Sequence, residues 1–215
     1  MNDLDAIAQK IIGALEAKNA AREGALTLSR KVIQHSALTI RAAHRADFTE
    51  AARLLALARE AARQMRDGAR AHPDLYYAGY VQDALKEFAE ASIVTALAQA
   101  QPIPDPDALE VEYAAYLNGM GEAAGELRRH ALDLIRQGNA REAEAVLQIM
   151  EDIFSVLVTV DFPDAITGGL RRTADMVRCV LERTRGDVTL TIKQEELKAA
   201  LKLGGAAIGG AESDD

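Results

Sequence analysis

Apolar residues recur at steps of three or four along almost the whole chain, and few residues interrupt that pattern. Only five of the 215 residues are proline, and residues 2–46 contain none. Aromatic residues make up 4% of the chain while 49% is hydrophobic, a balance typical of long packed helices rather than of sheets. We therefore predict an all-α fold, a single-domain bundle of about six to seven helices over residues 1–203. The Gly-rich, acid-ended residues 204–215 are predicted to form a disordered tail.

Turn-forming residues divide the predicted helices. The alternating run Val188–Ile192 is interpreted as a frayed helix end.

The single cysteine, Cys179, lies beside apolar residues, so we expect a buried, inert thiol in a reducing compartment. No apolar run approaches the ~20 residues of a membrane span, and we expect a cytoplasmic protein without a membrane partner. The predicted helices cover residues 2–46, 47–67, a segment that includes 85–98, then 107–138, 140–160, 164–190 and 193–203.

Two pairs of carboxylates stand at helical spacing. Glu87 and Glu90 are three residues apart, and Glu122 and Glu126 are four apart, so each pair lies on one face of its helix. A solvated face, with Lys86 and neighbouring arginines as ion-pair partners, would explain either pair alone. However, apolar and small residues surround both pairs, and Gly and Ala let helices approach closely. If the two helices pack together, four carboxylates converge on a site suited to Mg²⁺ or Mn²⁺.

Other chemistries find no support in the sequence. A phosphate-binding Walker loop needs Gly-Lys-Ser/Thr after a strand, and neither Gly168-Gly169 nor Gly204-Gly205 provides it. One cysteine and four histidines without a His-x-x-x-His pair do not form the usual zinc site. A di-iron bundle needs two Glu-x-x-His elements, which are also missing. An oxygen-only metal site, suited to phosphate esters, remains.

Charge is unevenly distributed along the chain. The formal net charge is −8, yet between Arg22 and Arg70 ten Lys or Arg stand against five Asp or Glu. Within the first predicted helix, one arc holds four basic residues and Gln34, opposite an apolar face. A solvated face and a phosphate-binding face are both open interpretations, and the scarcity of acids in the arc favours phosphate. The basic residues are Arg30, Arg41, His44 and Arg45.

Three segments together resemble the translin/TRAX family, over roughly residues 5–190. They are Glu87 to Glu90, Tyr116 to Arg129, and Leu170 to Asp187. The TRAX branch carries a Glu-x-x-Glu pair and an acid-x-x-x-Glu pair, which map onto the four carboxylates named above. Glu122 stands where the TRAX branch has Asp. The resemblance implies a translin-like helical protomer, a hollow homo-octamer that binds RNA or single-stranded DNA inside, and cleavage of RNA with Mg²⁺.

On this basis, Glu87, Glu90, Glu122 and Glu126 are the predicted metal ligands and catalytic residues. Arg30, Arg41, His44 and Arg45 are predicted to bind phosphates, which gives affinity rather than base specificity. Two alternatives remain open at this point. One is a non-catalytic, translin-like protein that binds single-stranded nucleic acid. The other is an all-α nucleoside triphosphate pyrophosphohydrolase, although that class pairs Glu-x-x-Glu with Glu-x-x-Asp rather than with Glu-x-x-x-Glu.

Overall fold

The structure is a computed structural model that describes the backbone of residues 3–209 and the side chains of residues 3–202. Every regular element in this part of the chain is an α-helix, which confirms the predicted all-α fold. Six helices are long and three are single turns. They are α1 (Leu4–His44), α2 (Phe48–Ala69), α3 (Pro73–Tyr76), α4 (Gly79–Ala98), α5 (Pro106–Leu109), α6 (Tyr113–Arg136), α7 (Ala140–Thr159), α8 (Asp164–Thr167) and α9 (Leu170–Gly209).

The start of α6 differs from the prediction, which placed it near Asp107. Asp105 accepts a hydrogen bond from the backbone N–H of Ala108 at 2.7 Å and caps the short helix α5. Glu110 then adopts a left-handed conformation with φ of 54°, which ends α5 after one turn. Proline favours the first position of a helix, and Pro106 is the first residue of α5. Because Glu110 ends that helix, α6 is a separate helix that begins at Tyr113.

The last helix is longer than predicted. Gly168 and Gly169 have positive φ angles of 62° and 85°, so α9 begins after them, at Leu170. It continues without the predicted break near residue 190. The interpretation of Val188–Ile192 as a frayed end is wrong, because these residues lie inside α9 and Val188 is only 2% exposed. Of the predicted tail, the backbone of residues 204–209 belongs to α9, and residues 210–215 lie outside the described residues.

The chain forms two compact units, and the helices α6 and α9 each have residues in both. The first unit contains residues 1–123 and 162–170, and the second contains residues 124–161 and 171–215. The single domain predicted over residues 1–203 stays a prediction. Among the described helices, none is both long and apolar enough to span a membrane.

The core of the first unit is built around α4. Every side chain from Phe88 to Ala96 is buried, and a helix that is buried all round must be covered by neighbours on several sides. The second half of α1 packs against α2 and α4, and buried alanines let these helices lie close together. The largest fully buried side chains of α1, α2 and α4 are Val32, Met65, Leu85, Phe88 and Ile93.

In the second unit, apolar stripes on α7 and α9 are buried, as predicted for α7. The buried face of α9 follows Val177, Leu181 and Val188. Cys179 lies about 200° around the helix from Val177 and is exposed. The prediction of a buried thiol is therefore wrong. Cys179 has apolar neighbours in the sequence, but it lies outside the face of α9 that is buried.

Candidate functional site

Three of the four predicted carboxylates converge in the first unit. One oxygen each of Glu87, Glu90 and Glu122 lie within 4.8 Å of one another. Glu87 and Glu90 come from adjacent turns of α4, and Glu122 comes from α6. The packing of α4 against α6 thus brings these three carboxylates together.

A glycine on α6 permits the close approach of the two helices. A β-carbon built on residue 119 would lie 2.6 Å from the carbonyl oxygen of Lys86 and 3.1 Å from the backbone nitrogen of Glu90. Contacts this short leave no room for any other residue. Gly119 lies one turn before Glu122, so this close contact between α6 and α4 occurs beside the cluster. The guanidinium of Arg59 on α2 lies 5.5 Å from the centre of the buried Phe88 ring on α4.

Lys86 already supplies a positive charge to the cluster. Its Nζ lies 2.5 Å from Oε1 of Glu122 and 3.4 Å from Oε1 of Glu87. Burial opposes the charged ammonium, but the hydrogen bond to Glu122 and the charges of Glu122 and Glu87 outweigh it, so the pKa of Lys86 is raised. The sequence identifies Lys86 only as a possible ion-pair partner. The structure makes it an integral member of the cluster.

The carboxylates differ in exposure. Glu90 is 8% exposed, whereas the side chains of Glu87 and Glu122 are 28% and 34% exposed. A divalent cation here would have carboxylate oxygens on one side and water on the other, which is the arrangement Mg²⁺ prefers when it acts on phosphates. The donor set is hard, all-oxygen and formally −3, so these residues fit Mg²⁺ or Mn²⁺.

Glu126, the fourth predicted ligand, lies one turn after Glu122 on α6 and is half-buried. It belongs to the second unit, whereas the three clustered carboxylates belong to the first. Its part in the metal site stays a prediction.

The predicted basic face of α1 is present on that helix. Arg30, Arg41 and Arg45 are exposed and His44 is half-buried, whereas Val32 and Ala43 on the opposite face are buried. Neither Arg30 nor Arg41 forms an ion pair among the side chains that the structure describes. Arg45 lies near an acid, because the pKa of Glu50 is lowered mainly by a hydrogen bond from Arg53 and to a lesser extent by the charge of Arg45.

Most arginines of α2 are engaged by acids of their own unit. Arg53 pairs with Glu50 at 2.7 Å, Arg63 pairs with Glu60 at 2.7 Å, and Arg66 pairs with Glu110 at 2.5 Å. The basic excess between residues 22 and 70 is therefore not one continuous patch. The arginines of α1 are its best candidates for binding an external anion.

Comparison with known proteins gives a consistent set of relatives. No family model matches the chain. An uncharacterized protein of Methanocaldococcus jannaschii is 29% identical over 194 residues, which are 89% of this chain and 86% of that protein. The crystal structure of AfC3PO matches with a TM-score of 0.79 and 33% identity, and covers 87% of this chain and 97% of that one.

Two further solved structures share the fold. The structure of AfC3PO in complex with duplex RNA matches with a TM-score of 0.78 and 32% identity, with 87% of this chain and 97% of that chain covered. Apo-NeC3PO matches with a TM-score of 0.73 over 89% of this chain and 98% of its own, at 21% identity.

Proposed function

This chain belongs to the translin/C3PO family, and from that premise we propose that it binds RNA and cleaves it with Mg²⁺ held by clustered glutamates. The observation that carries the proposal is the convergence of Glu87, Glu90 and Glu122 within 4.8 Å, on two helices that a glycine brings into close contact. We include Glu126 as the fourth ligand on the strength of its place one turn after Glu122. The assembly we propose is a hollow homo-octamer in the cytoplasm, with the nucleic acid inside.

Binding of RNA is supported by one relative and one surface. AfC3PO, which is 32% identical, has been solved with duplex RNA. In this chain, α1 presents Arg30 and Arg41 to solvent without an ion pair among the described side chains. Such guanidinium groups bind phosphate oxygens of any sequence, so we propose RNA or single-stranded DNA as the ligand, held through its backbone.

The residues of the cluster have separate tasks in this proposal. The chemistry that Mg²⁺ supplies at such a site is activation of a water molecule and neutralisation of phosphate charge. Glu87, Glu90 and Glu122 would hold the cation, Glu87 and Glu122 from the more exposed part of the cluster and Glu90 from the buried part. Lys86 would compete with the cation for Glu122, because both positive groups draw on the charge of the same carboxylate. When the cation displaces it, the Lys86 ammonium is free to contact a phosphate oxygen of the substrate.

Glu122 replaces the Asp expected in the TRAX branch. The additional methylene extends the carboxylate by about 1 Å, which is enough to change a rate at a site that depends on alignment. Within this structure the longer side chain reaches both the cluster and the ammonium of Lys86.

A specific observation also favours a second function, that of a non-catalytic nucleic-acid-binding protein. The ion pair between Lys86 and Glu122 neutralises part of the cluster without any metal. If the protein is non-catalytic, the cluster has a structural role, and the protein binds RNA without cleaving it.

The deciding experiment combines cleavage and binding. Purified protein is incubated with end-labelled single-stranded RNA in Mg²⁺ and in EDTA, and binding is measured on the same samples. We expect cleavage only in Mg²⁺, and a loss of about 100-fold or more in Glu90→Gln, as is typical when one charge-stabilising group is removed from an active site. Glu144→Gln, an exposed carboxylate on α7, is the matched control and should cleave normally.

Each outcome separates the alternatives. Binding without cleavage of any RNA would support the non-catalytic function. Cleavage that persists in EDTA, or in the double variant Glu87→Gln plus Glu90→Gln, would exclude a mechanism that depends on this metal site. Release of pyrophosphate from free nucleoside triphosphates would point to the pyrophosphohydrolase alternative.

A further inference from the structure

The first turns of α1 carry large apolar side chains that are at least half exposed to solvent. Residues 3–17 are all exposed. Four of the apolar side chains follow at steps of three or four, which places them on one face of the helix. They are Leu4, Ile7, Ile11 and Leu15, with exposed fractions of 71%, 50%, 53% and 60%. A stripe of this kind ordinarily packs against another helix, and we call it the α1 stripe.

The α1 stripe continues the face by which the same helix packs into its unit. After Leu15, steps of three and four continue along the same face through Lys18 and Arg22. The next residues on this face are buried, and they are Ala25, Ser29, Val32 and Ser36. Against that second half of α1 lie α2 and α4. The stripe is thus the exposed half of a helical packing face. An isolated helical extension gains little stability from hydrogen bonding alone, because most helical stability in proteins comes from packing.

We propose that the α1 stripe packs antiparallel against the α1 stripe of a second copy of this chain, about a two-fold axis near Ile11. The charges on the helix favour this occupant. Asp3 and Asp5 lie at one end of the stripe, and Lys18 and Arg22 lie at the other. An antiparallel copy brings the acids of each helix beside the bases of the other, whereas a parallel copy would place like charges together.

Lys18 and Arg22 form ion pairs within their own chain, but these pairs do not prevent contacts with the acids of a second copy. Lys18 contacts Asp74 at 2.5 Å and Arg22 contacts Glu23 at 2.7 Å. Their side chains are 39% and 49% exposed, and the acids are more exposed still. Exposed pairs of this kind contribute little stability, so the same side chains remain available to the second copy.

A two-fold axis near Ile11 fixes which residues meet. Ile11 faces its own counterpart, and Ile7 faces Leu15 of the second copy, because an isologous contact pairs each residue reciprocally. Ile7 is then about 12 Å along the axis from its own counterpart, at a rise of 1.5 Å per residue. A disulfide requires Cα atoms within about 7 Å. Cysteine pairs therefore distinguish antiparallel from parallel packing.

The test uses the full chain with Cys179→Ser, since Cys179 is exposed and would form its own cross-links. Ile11→Cys is oxidised mildly and separated on a non-reducing gel. We expect a covalent dimer in several-fold excess over Ala17→Cys, which is exposed on the opposite face of α1. A mixture of Ile7→Cys and Leu15→Cys proteins should cross-link, and each protein alone should not.

Light scattering coupled to size exclusion provides the second measurement. Ile11→Asp leaves the core intact, because Ile11 is exposed, and should reduce the mass of the assembly at least two-fold. Efficient cross-linking of Ile7→Cys alone would overturn the antiparallel pair. A monomeric wild-type protein, or an Ile11→Asp protein with unchanged mass and no excess of Ile11→Cys dimer, would exclude the interface. The pairing does not depend on RNA cleavage, so its failure would leave the proposed activity untouched.

Discussion

The carbonyl oxygen of Lys86 lies 2.6 Å from the point that a β-carbon on Gly119 would occupy, so α6 touches the backbone of α4 at this place. We predict that Gly119→Ala forces the two helices apart and lowers the free energy of unfolding by about 1–3 kcal/mol, as overpacking in a core does. Chemical denaturation followed by circular dichroism measures this loss. The displacement should also weaken Mn²⁺ binding, because Glu122 moves away from Glu87 and Glu90.

Gly125→Ala on the same helix is the matched control. A β-carbon at residue 125 would meet no atom within 4 Å, and alanine favours a helix over glycine by up to about 1 kcal/mol. This variant should be as stable as the wild type or more stable. Equal stability of Gly119→Ala and the wild type would show that the close approach does not hold the site together.

Lys86 is predicted to compete with a divalent cation for Glu122. In Lys86→Met the carboxylates lose their neutralising ammonium, so the metal-free protein should unfold at a lower temperature. The affinity for Mn²⁺ should rise about 10-fold, which corresponds to about 1.4 kcal/mol for one partly buried charge pair. Thermal unfolding with and without Mn²⁺, together with calorimetric titration, measures both effects.

Lys193→Met, which removes an exposed lysine paired at 2.8 Å with Glu196, serves as the control for loss of a surface ion pair. It should change neither quantity by much. If Lys86→Met lowers the unfolding temperature equally with and without Mn²⁺, Lys86 is a structural partner of Glu122 and does not compete with a metal.

The basic face of α1 is predicted to supply phosphate contacts. Arg30→Ala plus Arg41→Ala should weaken binding to all RNA sequences alike. The slope of log K against log salt concentration should flatten by about 1.4, or about 0.7 per phosphate contact on single strands. Fluorescence anisotropy over a series of salt concentrations gives the slope.

Arg53→Ala plus Arg63→Ala removes the same number of positive charges from α2, where both guanidinium groups are paired with neighbouring glutamates. That double variant should leave the slope nearly unchanged. An unchanged slope in the α1 double variant would remove Arg30 and Arg41 from the nucleic-acid interface.

The sequence alone determined the fold class and the face on which each site residue lies. The spacing of Glu87 and Glu90 along one helix, and the opposition of Arg41 to Val32 around another, follow from the 3.6-residue period, which is a local property. For the same reason the predicted long helices were largely correct, although α6 begins at Tyr113 rather than near Asp107. The break predicted near residue 190 was wrong, because a short alternating run says nothing about whether Val188 finds a packing partner.

The tertiary structure decided which of these faces meet. No local pattern states that Lys86 contacts both Glu87 and Glu122, or that the glycine which admits α6 to α4 is Gly119 rather than Gly125. The burial of Glu90 and the exposure of Cys179 likewise depend on neighbours that are distant in sequence or absent. These properties arise from contacts between helices, which periodicity within one helix does not encode.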